Sequence, residues 1–178
     1  MKKKIINIWI SGVTASGKTT LAKLLLNDLK NSGIKKIKLL DGDDLRKSLK
    51  KKYGHSLSER FELINEYINI AKRENNNGYS LIIATVSHKQ KMREIVRNKL
   101  DGFMEINLIC SPEACAKRDY KNIYSNINKD SNECLPGVTE PYELSESAEL
   151  IVDTENNSLQ ESNKILFNNV IQFYSKIN

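Results

Sequence analysis

The chain has 178 residues, 39% of them hydrophobic, and a formal net charge of +6; a domain of this size buries roughly 70% of its unfolded surface, so folding needs neither disulfides nor a structural metal. No apolar run approaches the roughly 20 residues of a membrane span, and Met1-Lys2-Lys3-Lys4 runs straight into a strand with no signal-peptide cleavage site. The lysines are scattered among Asn and Ile rather than interleaved with exposed aromatics, which argues against a nucleic-acid partner and for a solvated surface with modest attraction for anionic nucleotides.

Ile5 to Ile10 is a β-branched run that predicts a buried parallel strand. It delivers Gly12-Val13-Thr14-Ala15-Ser16-Gly17-Lys18-Thr19, a complete G-x-x-x-x-G-K-S/T loop, followed by Thr20. Glycines let consecutive backbone N–H groups turn inward around a phosphate, and the following helix adds its positive end. In such a loop Lys18 reaches the terminal phosphates and the Thr19 hydroxyl ligates Mg²⁺. Leu21, Ala22, Leu24 and Leu25 then start an apolar helical face. Strand, loop and helix in this order predict a site for a nucleoside triphosphate, ATP with Mg²⁺.

Ile37 to Asp41 reads as the second strand, ending in the acidic turn Asp41-Gly42-Asp43-Asp44, with a short helix through Leu45, Arg46 and Leu49. Ser56-Leu57-Ser58-Glu59 has capping-box spacing and opens a long helix, with Phe61, Ile64, Ile68 and Ala71 on one face, that ends at Asn75-Asn76-Asn77-Gly78. Tyr79 to Val86 is a continuous apolar run, hence a central strand, with Ser87 and His88 at its end and a basic helix to about Leu100. Phe103 to Ile109 is the next strand, and Ser111-Pro112-Glu113 starts a helix with Pro at its first position. The cysteines Cys110, Cys115 and Cys134 form no C-x-x-C pair and leave an odd count, which suits a reducing cytoplasm.

From Asp119 to Glu143 the pattern dissolves into Asn, Ser, Lys, Gly and Pro, and a mobile lid over the nucleotide is expected there. Leu150-Ile151-Val152 is a last short strand, and a helix capped at Ser158 to Glu161 runs to the end. Alternating strands and helices predict an α/β P-loop NTPase fold, a parallel sheet covered by helices on both faces, as a single domain over residues 1–178. Ligands should gather at the C-terminal strand edge.

The loop alone names no reaction. Asn98-Lys99-Leu100-Asp101 spells the guanine-reading N-K-x-D pattern, but it follows a helix rather than a strand, and the chain holds no D-x-x-G switch. Those two facts argue against a regulatory GTPase. A motor would want an acid ending the strand beside the loop, where this chain has Thr85, Val86 and Ser87. Asp41 and Asp43 at the cleft suit phosphoryl transfer instead, one carboxylate accepting a hydroxyl proton while Mg²⁺ and Lys18 hold the migrating group. An inert nucleotide-binding module is the non-enzyme alternative, and intact Lys18, Thr19 and Asp43 argue against it.

Gly12 to Thr20, Leu40-Asp41-Gly42-Asp43-x-x-Arg46, Cys115-x-x-Arg118-Asp119-x-Lys121-x-x-Tyr124 and Gly137-x-x-x-x-Tyr142-Glu143 together resemble the adenylyl-sulfate kinases, from Trp9 to Thr154 without obvious gaps. The resemblance implies a cytoplasmic homodimer that uses MgATP to phosphorylate the 3′-hydroxyl of a small nucleotide conjugate. It implies Asp43 as base and metal-organising acid, with Thr19 as the second metal ligand. It places Arg118 and Thr154 on the ATP side with the loop residues Gly12, Ala15, Ser16, Gly17, Lys18, Thr19 and Thr20. On the acceptor side it places Asp41, Arg46, His55, Arg60, Ser87, Lys121 and Leu135, the arginines as cations for an anionic acceptor.

The departures from the family cluster on the acceptor side. Phe is usual at His55 and at Leu135, where two rings sandwich adenine; Asn is usual at Leu63, an Arg pair at Asn65-Glu66, and Pro at His88. Losing one stacking ring costs roughly 1–3 kcal/mol, so the expected adenine sandwich is absent. Cytidine diphosphoramidate kinases, which resemble adenylyl-sulfate kinases and act in decorating capsular polysaccharide, are the alternative that such a rebuilt pocket suggests.

Overall fold

A strand buried on both faces is what the Ile5 to Ile10 run requires, and in the computed structural model, which describes residues 5–119 and 135–177, that strand is central. The elements in chain order are β1 (Asn7–Ser11), α1 (Lys18–Asn31), β2 (Ile37–Asp41), α2 (Gly42–Ser48), α3 (Leu57–Asn76), β3 (Ser80–Thr85), α4 (Gln90–Arg97), β4 (Phe103–Ile109), α5 (Pro112–Lys117), β5 (Leu150–Asp153) and α6 (Leu159–Ile177). Among the described residues the sheet has five strands in the order β2-β3-β1-β4-β5. Every pairing is parallel, with Trp9 level with Ile83 on one side and Glu105 on the other. The expected doubly covered α/β sheet is therefore found.

Alternation along β1 divides the core. Ile8 and Ile10 pack with Leu21, Leu25 and Leu29 of α1 and Leu166 and Val170 of α6. Trp9 faces the other way, among Leu63, Ile64 and Tyr67 of α3 and Met92 and Val96 of α4. The expected helix starts are in place: Ser56 and Glu59 form a complete capping box on α3, and Ser111 caps α5 with Pro112 in its first turn. Ser158 and Glu161 exchange the same pair of bonds ahead of α6.

The differences are at the ends. β3 stops at Thr85 rather than Val86, because Ser87 takes a left-handed conformation, φ 38°. α4 ends at Arg97 with Asn98 as its C-cap, so Asn98 to Asp101 is a helix end and turn, as its sequence position implied. Most of the lid expected over 119–143 lies outside the described residues, as do Lys121, Tyr124 and Cys134. No helix among the described residues is long and apolar enough to cross a membrane.

The turn into β4 depends on Gly102, at φ 57°, where a Cβ would lie 2.2 Å from the Ile5 carbonyl oxygen. Gly102→Ala adds left-handed strain to a clash with backbone, and urea unfolding should show a loss of more than ~2 kcal/mol. An unchanged midpoint would contradict this account of the turn.

Candidate active site

The parallel sheet brings the C-terminal ends of β1, β2 and β3 to one edge, and the loop between β1 and α1 lies there. Gly17 is the N-cap of α1 in the left-handed region, φ 93°, and Ala15 also has a positive φ, 62°. Glycine takes the first conformation freely; alanine is strained in the second, the kind of local cost that functional loops carry. Lys18 Nζ donates to the Val13 carbonyl at 2.6 Å and lies 3.5 Å from Ser16 Oγ, so its ammonium is folded over the loop. Gly12 and Ser16 are buried, and Thr20 is exposed.

The acidic turn meets this loop directly. Asp41 caps α2, accepting from the Asp43 N–H through Oδ1 at 3.0 Å, while its Oδ2 accepts from the Thr19 hydroxyl at 2.6 Å. Asp43 is exposed in the first turn of α2. A hydroxyl and carboxylate oxygens are hard donors of the kind Mg²⁺ takes when phosphates complete its shell. The residues present therefore fit that ion, with Asp41 joining the pair Thr19 and Asp43 that the resemblance implied. Among the described residues no cluster of three or more His, Cys, Asp or Glu could hold a metal.

Across the edge, two arginines converge on His55. Arg46 Nη1 is 3.1 Å from His55 Nδ1 and donates to the Gly54 carbonyl at 3.2 Å. Arg60 Nε donates to the His55 carbonyl at 3.2 Å, and its Nη2 is 3.4 Å from the same ring nitrogen. Tyr67, buried in α3, donates its hydroxyl to the Gly42 carbonyl at 2.7 Å, and burial pushes its pKa up to about 12. Leu63, one turn before Tyr67 on α3, is only 4% exposed and packs in the core between the sheet, α3 and α4.

On the far side of the loop, Thr154 Oγ1 donates to the Ser16 carbonyl at 3.0 Å, and Arg118 Nη2 donates to the Thr154 carbonyl at 2.8 Å. Both residues expected on the ATP side thus stand at the loop. Leu135, half-buried, opens a turn in which its N–H donates to Thr139 Oγ1 at 2.8 Å. Ser87 is buried; its Oγ accepts from the Trp9 indole N–H at 3.1 Å, and the N-cap of α4 is Lys89.

Sequence reasoning missed a polar group beneath this edge. Arg93 and Glu105, each 1% exposed, approach to 2.9 Å, and Arg97 lies between Glu105 and Glu149. Tyr142, with its ring 5.6 Å from the Arg93 guanidinium, is pushed by burial up to about 12. The available signal was a Glu in the middle of the apolar run Phe103 to Ile109, since buried carboxylates are almost always paired.

A parallel sheet in the order 2-3-1-4-5, a phosphate loop after its central strand and an acid-and-arginine cleft beside it define a P-loop phosphotransferase. A family profile described as Adenylylsulphate kinase matches residues 4–153. A probable adenylyl-sulfate kinase of Archaeoglobus fulgidus is 36% identical over 84% of this chain and 96% of its own, and an adenylyl-sulfate kinase of Bacteroides thetaiotaomicron is 32% identical over 90% and 81%. The Mycobacterium tuberculosis APS kinase CysC, solved in complex with AMPPNP and APS, superposes with a TM-score of 0.83 over 94% of this chain and 98% of that one, at 23% identity. The chain belongs to the adenylylsulphate kinase family; it is a kinase that takes ATP and acts on a nucleotide hydroxyl.

His88, fully buried behind Ser87, has its pKa lowered to about 4, first by burial and then by the charges of Arg60 and Lys89. The unfolded chain binds this proton near pH 6.5 and the folded one does not, so stability is complete above pH 6.5 and falls as pH drops toward 4. Urea unfolding at pH 7 and pH 5 should show this loss, up to roughly 3 kcal/mol across the full window, and His88→Gln should reduce it. An equal acid loss in His88→Gln would assign it to other groups.

Proposed function

We propose that the protein transfers the γ-phosphoryl group of ATP to the 3′-hydroxyl of adenylyl sulfate, producing 3′-phosphoadenylyl sulfate. The observation that carries this reading is the contact between Thr19 and Asp41 at the loop, with Asp43 next to it and Arg46 and Arg60 converging at His55. The loop from Gly12 to Thr19 and Lys18 hold the donor phosphates, with Arg118 and Thr154 behind them. Thr19 with Asp41 and Asp43 would hold Mg²⁺, which neutralises charge on the β- and γ-phosphates. Asp43 takes the hydroxyl proton as the acceptor oxygen bonds to the γ-phosphorus and the bridging bond to ADP breaks; Lys18 follows the charge. Arg46 and Arg60 grip the acceptor's anionic group, and Ser87 and Leu135 stand at its pocket. Family resemblance supports a homodimer working in the cytoplasm as one kinase domain, with Lys121 at the lid entrance.

The alternative acceptor is cytidine diphosphoramidate, and it rests on the missing pair of rings. Position 55 holds an imidazole tied at its edge to two guanidiniums, Nδ1 lying 3.1 and 3.4 Å from them, and position 135 holds Leu, so the two phenyl rings that sandwich adenine in the family are replaced. Incubation with MgATP and each acceptor, followed by product mass, separates the readings: 3′-phosphorylated adenylyl sulfate supports the first, and a phosphorylated cytidine conjugate with adenylyl sulfate untouched supports the second. Transfer to neither, with ATP still bound, would leave the inert module.

Asp43→Ala should bind ATP within about threefold of wild type and lose at least ~10²-fold in kcat; full turnover would remove it from the proton's path. Arg60→Ala should raise the acceptor KM by about tenfold or more and leave the ATP KM in place. A change confined to the ATP KM would move Arg60 to the donor side.

A further inference from the structure

Ser87 holds a left-handed conformation, φ 38°, that a side chain rarely adopts, and such strain persists only where the surroundings over-determine it. Two groups do so here. The indole N–H of Trp9 fixes its hydroxyl, and Arg93 Nη1 donates to its carbonyl at 2.6 Å. The same guanidinium reaches the opposite wall, its Nη2 donating to the Glu143 carbonyl at 2.7 Å. Its charge is matched by Glu105, Nε to Oε1 at 2.9 Å, an ion contact rather than an aligned hydrogen bond. Arg97 and Glu149 brace Glu105 from outside: Arg97 Nη1 donates to Glu149 Oε1 at 2.5 Å, and Glu149 Oε2 accepts from the Glu105 N–H at 2.6 Å.

Glu143 is clasped at other points too. Its N–H donates to the His88 carbonyl at 2.9 Å and its carboxylate accepts from the Gln90 N–H at 2.8 Å. Lys89 pairs with Glu140 and with Glu143. Among the described residues, however, only Arg93 holds the strained Ser87 and the returning segment with one rigid planar group. A planar fork with fixed N–H directions does this, and an ammonium does not.

We propose that Arg93 is a positioning residue for phosphoryl transfer. Its buried guanidinium, anchored by Glu105, locks the Ser87 turn and the Glu143 segment into one acceptor-side wall while touching neither nucleotide. A buried ion pair is weak evidence for stability, since a well-packed apolar pair of similar volume often replaces it without loss. The two carbonyls it fixes are what the pair contributes. The kinetic half of this inference rests on the acceptor reading above; the spectroscopic half does not.

Trp9, the single tryptophan of the chain, is fully buried with its N–H on Ser87, so its emission reads the turn with no acceptor present. Arg93→Lys keeps the charge and loses the fork. It should fold, shift Trp9 emission to the red, and raise the acceptor KM on the order of tenfold or more with the ATP KM unmoved. Should Arg93→Lys not fold, the pair Arg93→Met with Glu105→Leu keeps the core filled and should give the same red shift and the same KM split at near wild-type Tm. Wild-type emission and acceptor KM in either folded variant would overturn the proposal. So would equal damage to ATP and acceptor constants. If the wild type phosphorylates neither acceptor, the functional reading fails, and the emission of the same variants still decides the role of Arg93.

Discussion

The ligand side of this protein depends on the parallel pairing of β1 with β3 and β4. Because all three run the same way, their C-terminal ends open at one edge, and each loop that leaves them starts from a fixed backbone position. The phosphate loop leaves β1, the left-handed Ser87 turn leaves β3, and Thr154 follows β5 to meet the Ser16 carbonyl. Were one of these strands reversed, its loop would appear at the opposite end of the sheet, more than 15 Å away by the rise of about 3.3 Å per residue over five residues. The site is thus a property of strand direction before it is a property of any side chain.

Within that frame, Asp41 links donor and acceptor sides. One of its carboxylate oxygens starts α2, and the other takes the Thr19 hydroxyl. The helix cap and the loop contact therefore share one side chain, and α2 carries Asp43 and Arg46 at set distances from the loop. The acceptor side is built more locally, from two arginines that share the ring of His55 and take the adjacent carbonyls of Gly54 and His55. Charge-assisted bonds of this kind have directional preferences that scattered surface ion pairs lack.

The elements were legible because their signals are local. Asp41 to Asp44, the Ser56–Glu59 box, Pro112 after Ser111 and the apolar run at 103–109 each concern neighbours in the chain, and each is where it was expected. Strand ends were less legible, since a single backbone dihedral at Ser87 stops β3 and no residue type demands it. The acid that meets Thr19 was less legible: the resemblance gives the metal to Asp43 and sets Asp41 on the acceptor side, and only the cap geometry shows Asp41 turned back onto the loop. Arg93 and Glu105 went unread because each looks ordinary in its own segment, a helix and a strand, and Tyr142 was read only as part of a motif, without the buried ion pair it covers.

By itself, the sequence determined the fold class, the phosphate loop and the donor, because these rest on spacing along the chain and on backbone preferences that act within a few residues. It also located the acceptor-side departures at His55 and Leu135. Only the tertiary structure decided what surrounds each departure. It moved Leu63 into the core, tied His55 to two arginines and put a buried ion pair under the Ser87 turn. Those outcomes depend on which faces of α3, α4 and β4 meet, and residues tens of positions apart meet only once the sheet has closed around β1.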